Sequence, residues 1–396
     1  MRDDTARLYL DHNASAPMLP QARTALAAAL DAANPSSVHR EGRAARALVE
    51  SARRSVAGLV GAAAENVLFT SGATEAAATS LSPSWLIDGQ PIALTRLAVL
   101  DTDHASIREG GAFAPDSVTR LPVDAHGAVV LDALSDWAST ISSGETGLLA
   151  LCLANSETGV VQDLETIRAI LAGASVRLVL DVVQAVGRLP VNVADMGADA
   201  LILSGHKLGA AKGIGALVLA DPRTRPFAMI RGGGQEKGRR GGTEAVPAIA
   251  SLGAAADVLR TSGPDAAAFM KARRAGLERM LGEAVPGAVV LGSGTERLAN
   301  TVAIALPGLK AETAQIGLDL AGIAVSAGSA CSSGKVGRSH VVEAMARGGL
   351  AVSPDDGAIR VSFGPETTEA ELERLVSAYA RLAERALRAA AQERAA

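Results

Sequence analysis

Arg177-Leu178-Val179-Leu180-Asp181-Val182-Val183-Gln184 and Ala200-Leu201-Ile202-Leu203-Ser204-Gly205-His206-Lys207 are the two stretches from which the fold is read. Each opens as a short apolar run and closes on polar groups. Runs of the same kind lie at Asn66–Thr70, Leu97–Leu100, Leu148–Leu153 and Gly215–Leu219, and they fit buried strands. Ala/Leu/Arg-rich stretches of helical character separate them, among them Gly42–Leu59, Leu131–Trp137 and Leu164–Leu171. Strands alternating with helices predict an α/β domain around a mostly parallel, doubly covered sheet. Such sheets bind ligands at the carboxyl ends of their strands, which is where Asp181 and Lys207 fall.

After about Thr243 the pattern changes. A long helical region runs to about Leu281. Short strands follow at Ala288–Leu291, Thr301–Ala305 and Ala358–Phe363, with helices at Ala311–Leu320 and Glu369–Ala390. This reads as a second, smaller α+β domain. A chain of 396 residues is long enough for two or three such units.

Composition narrows the function classes. Hydrophobic residues make up 48% and charged residues 20%, as in a soluble globular protein. The net charge of −4 offers no basic field for nucleic acid or anionic membranes. Aromatic residues, at 2%, argue against a base-stacking platform. The opening Met1-Arg2-Asp3-Asp4-Thr5 holds no apolar signal core, and no apolar run approaches the roughly 18–20 residues of a membrane helix. Two cysteines far apart, Cys152 and Cys331, exclude a disulfide framework and fit a reducing, cytoplasmic location.

Five segments carry candidate chemistry. Lys207, just past a strand end, can form an imine with an aldehyde cofactor, with Ser204 and His206 beside it to hold an anion; it could equally be a loop lysine. Asp181 also ends a strand, where a carboxylate needs a partner. A pyridinium nitrogen would serve, with Gln184 reaching the ring hydroxyl; the alternative is a helix cap. Thr70-Ser71-Gly72-Ala73-Thr74-Glu75 reads as strand, tight turn and helix start, a phosphate site or a plain N-cap. His104 follows another strand end and could stack on a planar cofactor and move protons, or simply be a hydrogen-bonded loop histidine. Ser326-Ala327-Gly328-Ser329-Ala330-Cys331-Ser332-Ser333-Gly334-Lys335 reads as a mobile loop with an exposed thiol, whereas Cys152, inside an apolar run, reads as core.

Together these segments resemble the cysteine desulfurases of the class V aminotransferase family, over nearly the whole chain. The match begins at Tyr9-Leu10-Asp11-His12-Asn13-Ala14 and Asn34-Pro35-Ser36-Ser37-Val38-His39. It passes through Phe69–Glu75, His104, Asn155-Ser156-Glu157-Thr158-Gly159, Asp181–Gln184 and Ser204–Lys207. It ends with Gly232-Gly233-Gly234-Gln235-Glu236, Gly242-Thr243-Glu244, the Cys331 loop and Ile359-Arg360-Val361-Ser362.

The resemblance implies a fold-type-I transferase dependent on pyridoxal 5'-phosphate (PLP). Its large domain, with a mostly parallel seven-stranded sheet, would span residues 14–255. The small domain would comprise residues 1–13 and 256–396 and carry the Cys331 loop. Lys207 would bind the cofactor and move the substrate's α-proton. Asp181 would pair with the ring nitrogen, Gln184 with the ring oxygen, and His104 with the ring face. Ala73, Thr74, Ser204 and His206 would hold the phosphate, and Thr243 the phosphate of a partner subunit, which implies a homodimer with shared sites. Arg360, Asn34 and Ser156 would meet the substrate, L-cysteine, with Arg360 clamping its carboxylate. Cys331 would take the sulfur as a persulfide, release alanine and pass sulfur to an acceptor or cluster scaffold protein. No resident metal is implied, though Cys331 could transiently ligate a cluster.

The chain departs from the family pattern at four places. Ser156 stands where an Asn is usual, Leu208-Gly209-Ala210-Ala211-Lys212 replaces an aromatic followed by Gly-Pro-Lys, Ala245 replaces Asn, and Pro365 stands where Arg is frequent. These bear on rate and affinity more than on reaction type. Selenocysteine lyase, another PLP lyase or transaminase of the class, and a non-catalytic scaffold are the competing readings.

Overall fold

The computed structural model of the chain describes residues 7–328 and 338–395. Seven strands build the principal sheet: β1 (Val67–Thr70), β2 (Arg96–Leu100), β3 (Val118–Leu121), β4 (Gly147–Cys152), β5 (Val176–Asp181), β6 (Ala200–Ser204) and β7 (Gly215–Leu219). Their order is β1-β7-β6-β5-β4-β2-β3. β7 runs antiparallel to both its neighbours, while β6, β5, β4, β2 and β3 pair in parallel.

Alternation along these strands separates two cores. Leu149, Leu151, Leu178, Leu180, Leu201 and Leu203 face one. Leu148, Ala150, Val179, Ala200 and Ile202 face the other. Because both faces are buried, the strands read as unbroken apolar runs. The first face is covered by α1 (Arg40–Leu59) and the start of α4 (Val246–Ala284). Gly253 lets those helices touch: a Cβ there would lie 2.6 Å from the Ala52 Cα. The second face receives α2 (Ala73–Ser80) through Ala76 and Ala77. Between β4 and β5 runs α3 (Leu164–Leu171), N-capped by Asp163.

Beyond Val285 a second sheet forms from β8 (Val289–Val290), β9 (Thr301–Ala305), β10 (Ser326–Ala327) and β11 (Ile359–Ser362), in the order β8-β9-β11-β10, all antiparallel. It packs with α5 (Ala311–Leu320), α6 (His340–Arg347) and α7 (Glu369–Ala395). Leu8 and Leu10 belong to this core, and Leu8–Tyr9 pairs in parallel with Ile323–Ala324. The long helix α4 serves both units, with Ile249 and Leu252 in the first core and Leu277 and Leu281 in the second. A division drawn between residues 255 and 256 falls inside it. No helix among the described residues is long and apolar enough to cross a membrane.

Two features escape the periodicity. β3 reads Val-Thr-Arg-Leu and lies at the sheet's edge, where Thr119 and Arg120 reach solvent. Ser84–Ile87 and Gln90–Ala93 form a hairpin across Asp88-Gly89, both with positive φ. An Asp-Gly pair is a strong hairpin signal in its own right.

The Gly232–Glu244 segment is braced by a buried ion pair. The Arg53 guanidinium on α1 meets both Glu236 carboxylate oxygens at 2.7 and 3.0 Å and donates to the Val67 carbonyl at 2.8 Å. Removing one partner leaves an uncompensated buried charge. Arg53→Ala is therefore expected to lower stability by about 3–5 kcal/mol in urea unfolding; a loss below about 1 kcal/mol would show that solvent screens the pair.

Candidate active site

The carboxyl ends of β1, β4, β5 and β6 bring Thr70, Cys152, Asp181 and Ser204 to one edge of the sheet. Gly215, opening β7, pairs with both Thr70 and Ser204. A Cβ at Gly215 would lie 2.7 Å from the Gly72 Cα, so this close approach of turn to strand demands glycine. At this edge opens a cavity of about 470 Å³, of the size that suits a cofactor with a small substrate.

Lys207 lines the cavity. Its Nζ donates to the carbonyls of Asn13 and, at 2.9 Å, Ala14. The Gln184 amide also donates to the Asn13 carbonyl, at 3.0 Å, while its Oε1 accepts from Arg188. Asn13 is itself fully buried and tied to Thr301 and Ser362 of the second unit.

Asp181 also lines the cavity and is buried. Burial raises its pKa, although the Val183 amide donates to Oδ1 at 2.9 Å and pulls the other way. A buried carboxyl of this kind gains from a cationic N–H partner. Next to it on β4, the Cys152 thiol lies at the cavity wall and accepts the His104 amide at 3.4 Å. Burial raises its pKa, and the carboxyls of Asp181 and Asp103 add to the effect. Cys152 thus is buried as expected, but in the wall of the site rather than away from it.

His104 is placed by its neighbours. The Asp103 carboxylate accepts the Leu100 amide at 2.7 Å and the Cys152 amide at 2.8 Å, clipping β2 to β4. The Asn155 side chain donates to the Thr102 carbonyl at 2.8 Å. From α6, His340 Nε2 meets the Asp103 carbonyl at 2.9 Å. His104 Nδ1 accepts the Ser106 amide at 3.2 Å, so a neutral imidazole carries its proton on Nε2. Burial, together with the Asp181 charge and against those two amides, raises the Asp103 pKa to about 7.

The other end of the cavity is built for an anion. Here α2 begins at Ala73, and no side chain caps its first amides. Ala73, Thr74, Ser204 and His206 line this end. His206 is held to Ser15 at 3.3 Å, and burial with the nearby charges of Lys207 and Lys212 lowers its pKa to about 4. At neutral pH it is a hydrogen-bonding group, not a cation. The donor set fits PLP: a lysine for the aldehyde, a buried acid for the ring nitrogen, an imidazole for the ring, and unsatisfied amides for the phosphate.

Three expected residues do not line this cavity. Asn34 and Thr243 are exposed on the surface of the chain. Arg360 is sealed behind Ser156, whose carbonyl it meets at 3.1 Å; Ser156 itself does line the cavity. The Arg360 Nη2 donates to Asp11 at 2.7 Å and to Ser326 at 3.0 Å, and its Nε is buried without a hydrogen bond. Any two-point clamp must use Nη2, so a substrate carboxylate would have to displace Asp11 or Ser326. Cys331 lies outside the described residues. The chain enters and leaves that stretch beside the site, with Ser339 donating to Glu157 at 2.6 Å.

Sequence reasoning passed over Asn13, although it sits inside a quoted motif, and Asp103, the residue before His104. It also passed over His340, and it quoted His39 only within Asn34–His39, whereas His39 caps α1 by accepting the Gly42 amide. Their roles depend on distant segments or on local capping geometry, neither of which apolar periodicity registers.

Comparison with known proteins adds a second line of observation. The Aminotransferase class-V family model matches residues 8–375. A cysteine desulfurase of Cereibacter sphaeroides is 37% identical over 380 residues, 93% of this chain and 94% of that protein. The X-ray structure of a NifS-like protein from Rickettsia africae superposes with a TM-score of 0.84 at 30% identity, covering 95% of this chain and 99% of that one. A structure of SspA in complex with cysteine superposes with a TM-score of 0.73 at 25% identity, covering 91% and 100%.

The buried acid makes stability depend on pH. Asp103 binds its proton more tightly folded than unfolded, where its pKa is near 4. Its contribution is present below about pH 4 and is lost as pH rises through about 7. His12 and His206, both lowered to about 4, act oppositely, adding stability as pH rises from about 4 to 6.5. In chemical unfolding of cofactor-free protein, Asp103→Asn should remove the decline between pH 4 and 7 that wild type shows relative to it. Parallel stability–pH curves would show that Asp103 does not titrate in this window.

Proposed function

The chain belongs to the class-V aminotransferase family, and we propose that it is a PLP-dependent cysteine desulfurase, taking sulfur from L-cysteine and releasing L-alanine. One observation carries this reading: a single cavity at the strand ends collects Lys207, Asp181, His104 and an uncapped helix start. The similarity to cysteine desulfurases and to a structure holding cysteine supports the choice of substrate.

Bound PLP supplies an aldehyde for amine capture and an electron-withdrawing ring. Lys207 would hold it and, released from the Asn13 and Ala14 carbonyls, would carry the substrate's α-proton. Asp181 would keep a proton at the ring nitrogen, Gln184 would meet the ring oxygen, and His104 would cover the ring and serve proton transfer. Ser156 would contact the substrate, and Arg360 would hold its carboxylate once Asp11 or Ser326 yields; Asn34, exposed and off the cavity, has no place in that contact. The Cys331 thiolate attacks the substrate sulfur: an S–S bond forms, the Cβ–S bond breaks, and the electron pair left on carbon takes a proton. The products are alanine and a persulfide on Cys331.

The same proposal includes a cytoplasmic homodimer in which Thr243, exposed and outside the cavity of its own chain, reaches the partner's phosphate. A sulfur-acceptor or cluster scaffold protein then receives the persulfide sulfur, with iron–sulfur cluster assembly the default destination by family analogy.

Incubation with cysteine should yield alanine and a mass increase of one sulfur on the Cys331 peptide. Sulfide release by Cys331→Ala at the wild-type rate would exclude this mechanism and favour a direct lyase. Arg360→Ala should raise the KM for cysteine at least about tenfold, the scale of one lost charge-assisted contact. It should keep the visible, borohydride-sensitive band of the bound cofactor. Unchanged cysteine kinetics would remove Arg360 from the substrate site.

A further inference from the structure

The anion end of the cavity has an unmet charge requirement. A phosphate monoester carries about −1.5 to −2 at pH 7. Each ionisable group there can be assigned in turn. Glu75, in the first turn of α2, is negative and is matched by Arg240, which donates to it at 2.9 and 3.2 Å. That pair contributes no net charge. His206 is neutral at working pH. Lys207 is committed to the carbonyls of Asn13 and Ala14 and, on the PLP reading, to the cofactor's aldehyde. The α2 amides offer at most about half a positive charge.

One cation is left. Lys212 lines the same cavity and is close enough to His206 to depress its pKa. Among the described residues it has no acid or hydrogen-bond partner. Its loop is held against the anion end: the Gly205 amide donates to the Ile214 carbonyl at 2.9 Å, and Gly215 abuts Gly72. Gly213, with φ +82°, turns the chain directly after it.

We propose that Lys212 is the phosphate-binding cation of this site, a role that rests on the reading of the cavity as a PLP site. Its amine supplies the charge that the uncapped amides and the hydroxyls of Thr74 and Ser204 lack. It selects a phosphorylated cofactor over its dephosphorylated form. The contact is partly solvated, so it strengthens binding modestly and weakens with salt.

The test is a chemical cycle on cofactor-free protein, with dissociation constants measured for PLP and for pyridoxal, which lacks the phosphate. Lys212→Gln should weaken PLP binding about tenfold, the scale of one charge-assisted hydrogen bond, and leave pyridoxal binding unchanged. Lys212→Arg should restore most of the loss. Inorganic phosphate should raise the melting temperature of the wild-type apoprotein more than that of Lys212→Gln. Equal weakening of PLP and pyridoxal, or no weakening of either, would overturn the assignment. If the wild type itself does not prefer PLP to pyridoxal, the cofactor reading fails with it; a yellow wild type whose preference survives Lys212→Gln sinks the lysine alone.

Discussion

Asn13 holds the molecule's two cores in one relation. Its side chain bonds Thr301, and its amide donates to Ser362, both on the second sheet. Its carbonyl accepts from Lys207 and Gln184, both at the edge of the first. A polar group with no access to water must find such partners, and a missing one costs about 1–3 kcal/mol. Lys207 therefore sits where the second unit, through Asn13, tells it to sit. Ser156 works in the same seam: its carbonyl receives both Asn13, at 3.2 Å, and Arg360, at 3.1 Å. A serine in place of the usual asparagine changes the side chain offered to the cavity but leaves this main-chain junction in place.

The rest of the site follows from parallel strand pairing. Parallel strands end side by side, and the last residues of β4 and β5 lie in register, Cys152 beside Asp181. The groups from Asp103 through Cys152 to Asp181 form one buried row. Charge in that row is costly, so each acid is met by backbone amides and pushed toward its protonated form. At the far end the requirement reverses: an anion must be welcomed, histidine stays neutral, and the helix start with Lys212 carries the positive potential. The cavity is thus polarised along its length.

Much of this was legible in the residues. The sheet strands were visible because strands buried on both faces must be apolar throughout, and Gly215–Leu219 and Leu164–Leu171 fall where the sequence suggests. Lys207, Asp181, His104 and Thr74 could be placed because each follows a strand end. β3 was not legible because an edge strand tolerates Thr119 and Arg120. Asn13 and Asp103 were not, because their importance lies in contacts with residues distant in sequence, which no local pattern encodes. The Asp11 carboxylate on Arg360 belongs to the same class: the sequence suggests a free clamp, and only three-dimensional packing reveals that a side chain of the chain itself already holds it.

The seam at Asn13 also has a consequence for the order in which the protein is made. The strands of the principal sheet lie between residues 67 and 219, and domains form as their segments leave the ribosome. Asn13, synthesised well before Thr301 and Ser362, must wait for both before its side chain and amide are satisfied. The strands that frame the cavity can assemble early, while the junction that steadies Lys207 closes only once Ser362 has been made. Maturation of the cavity is thus timed by the emergence of Thr301 and Ser362, and a chain that ended before them would carry Lys207 without the segment that orients it.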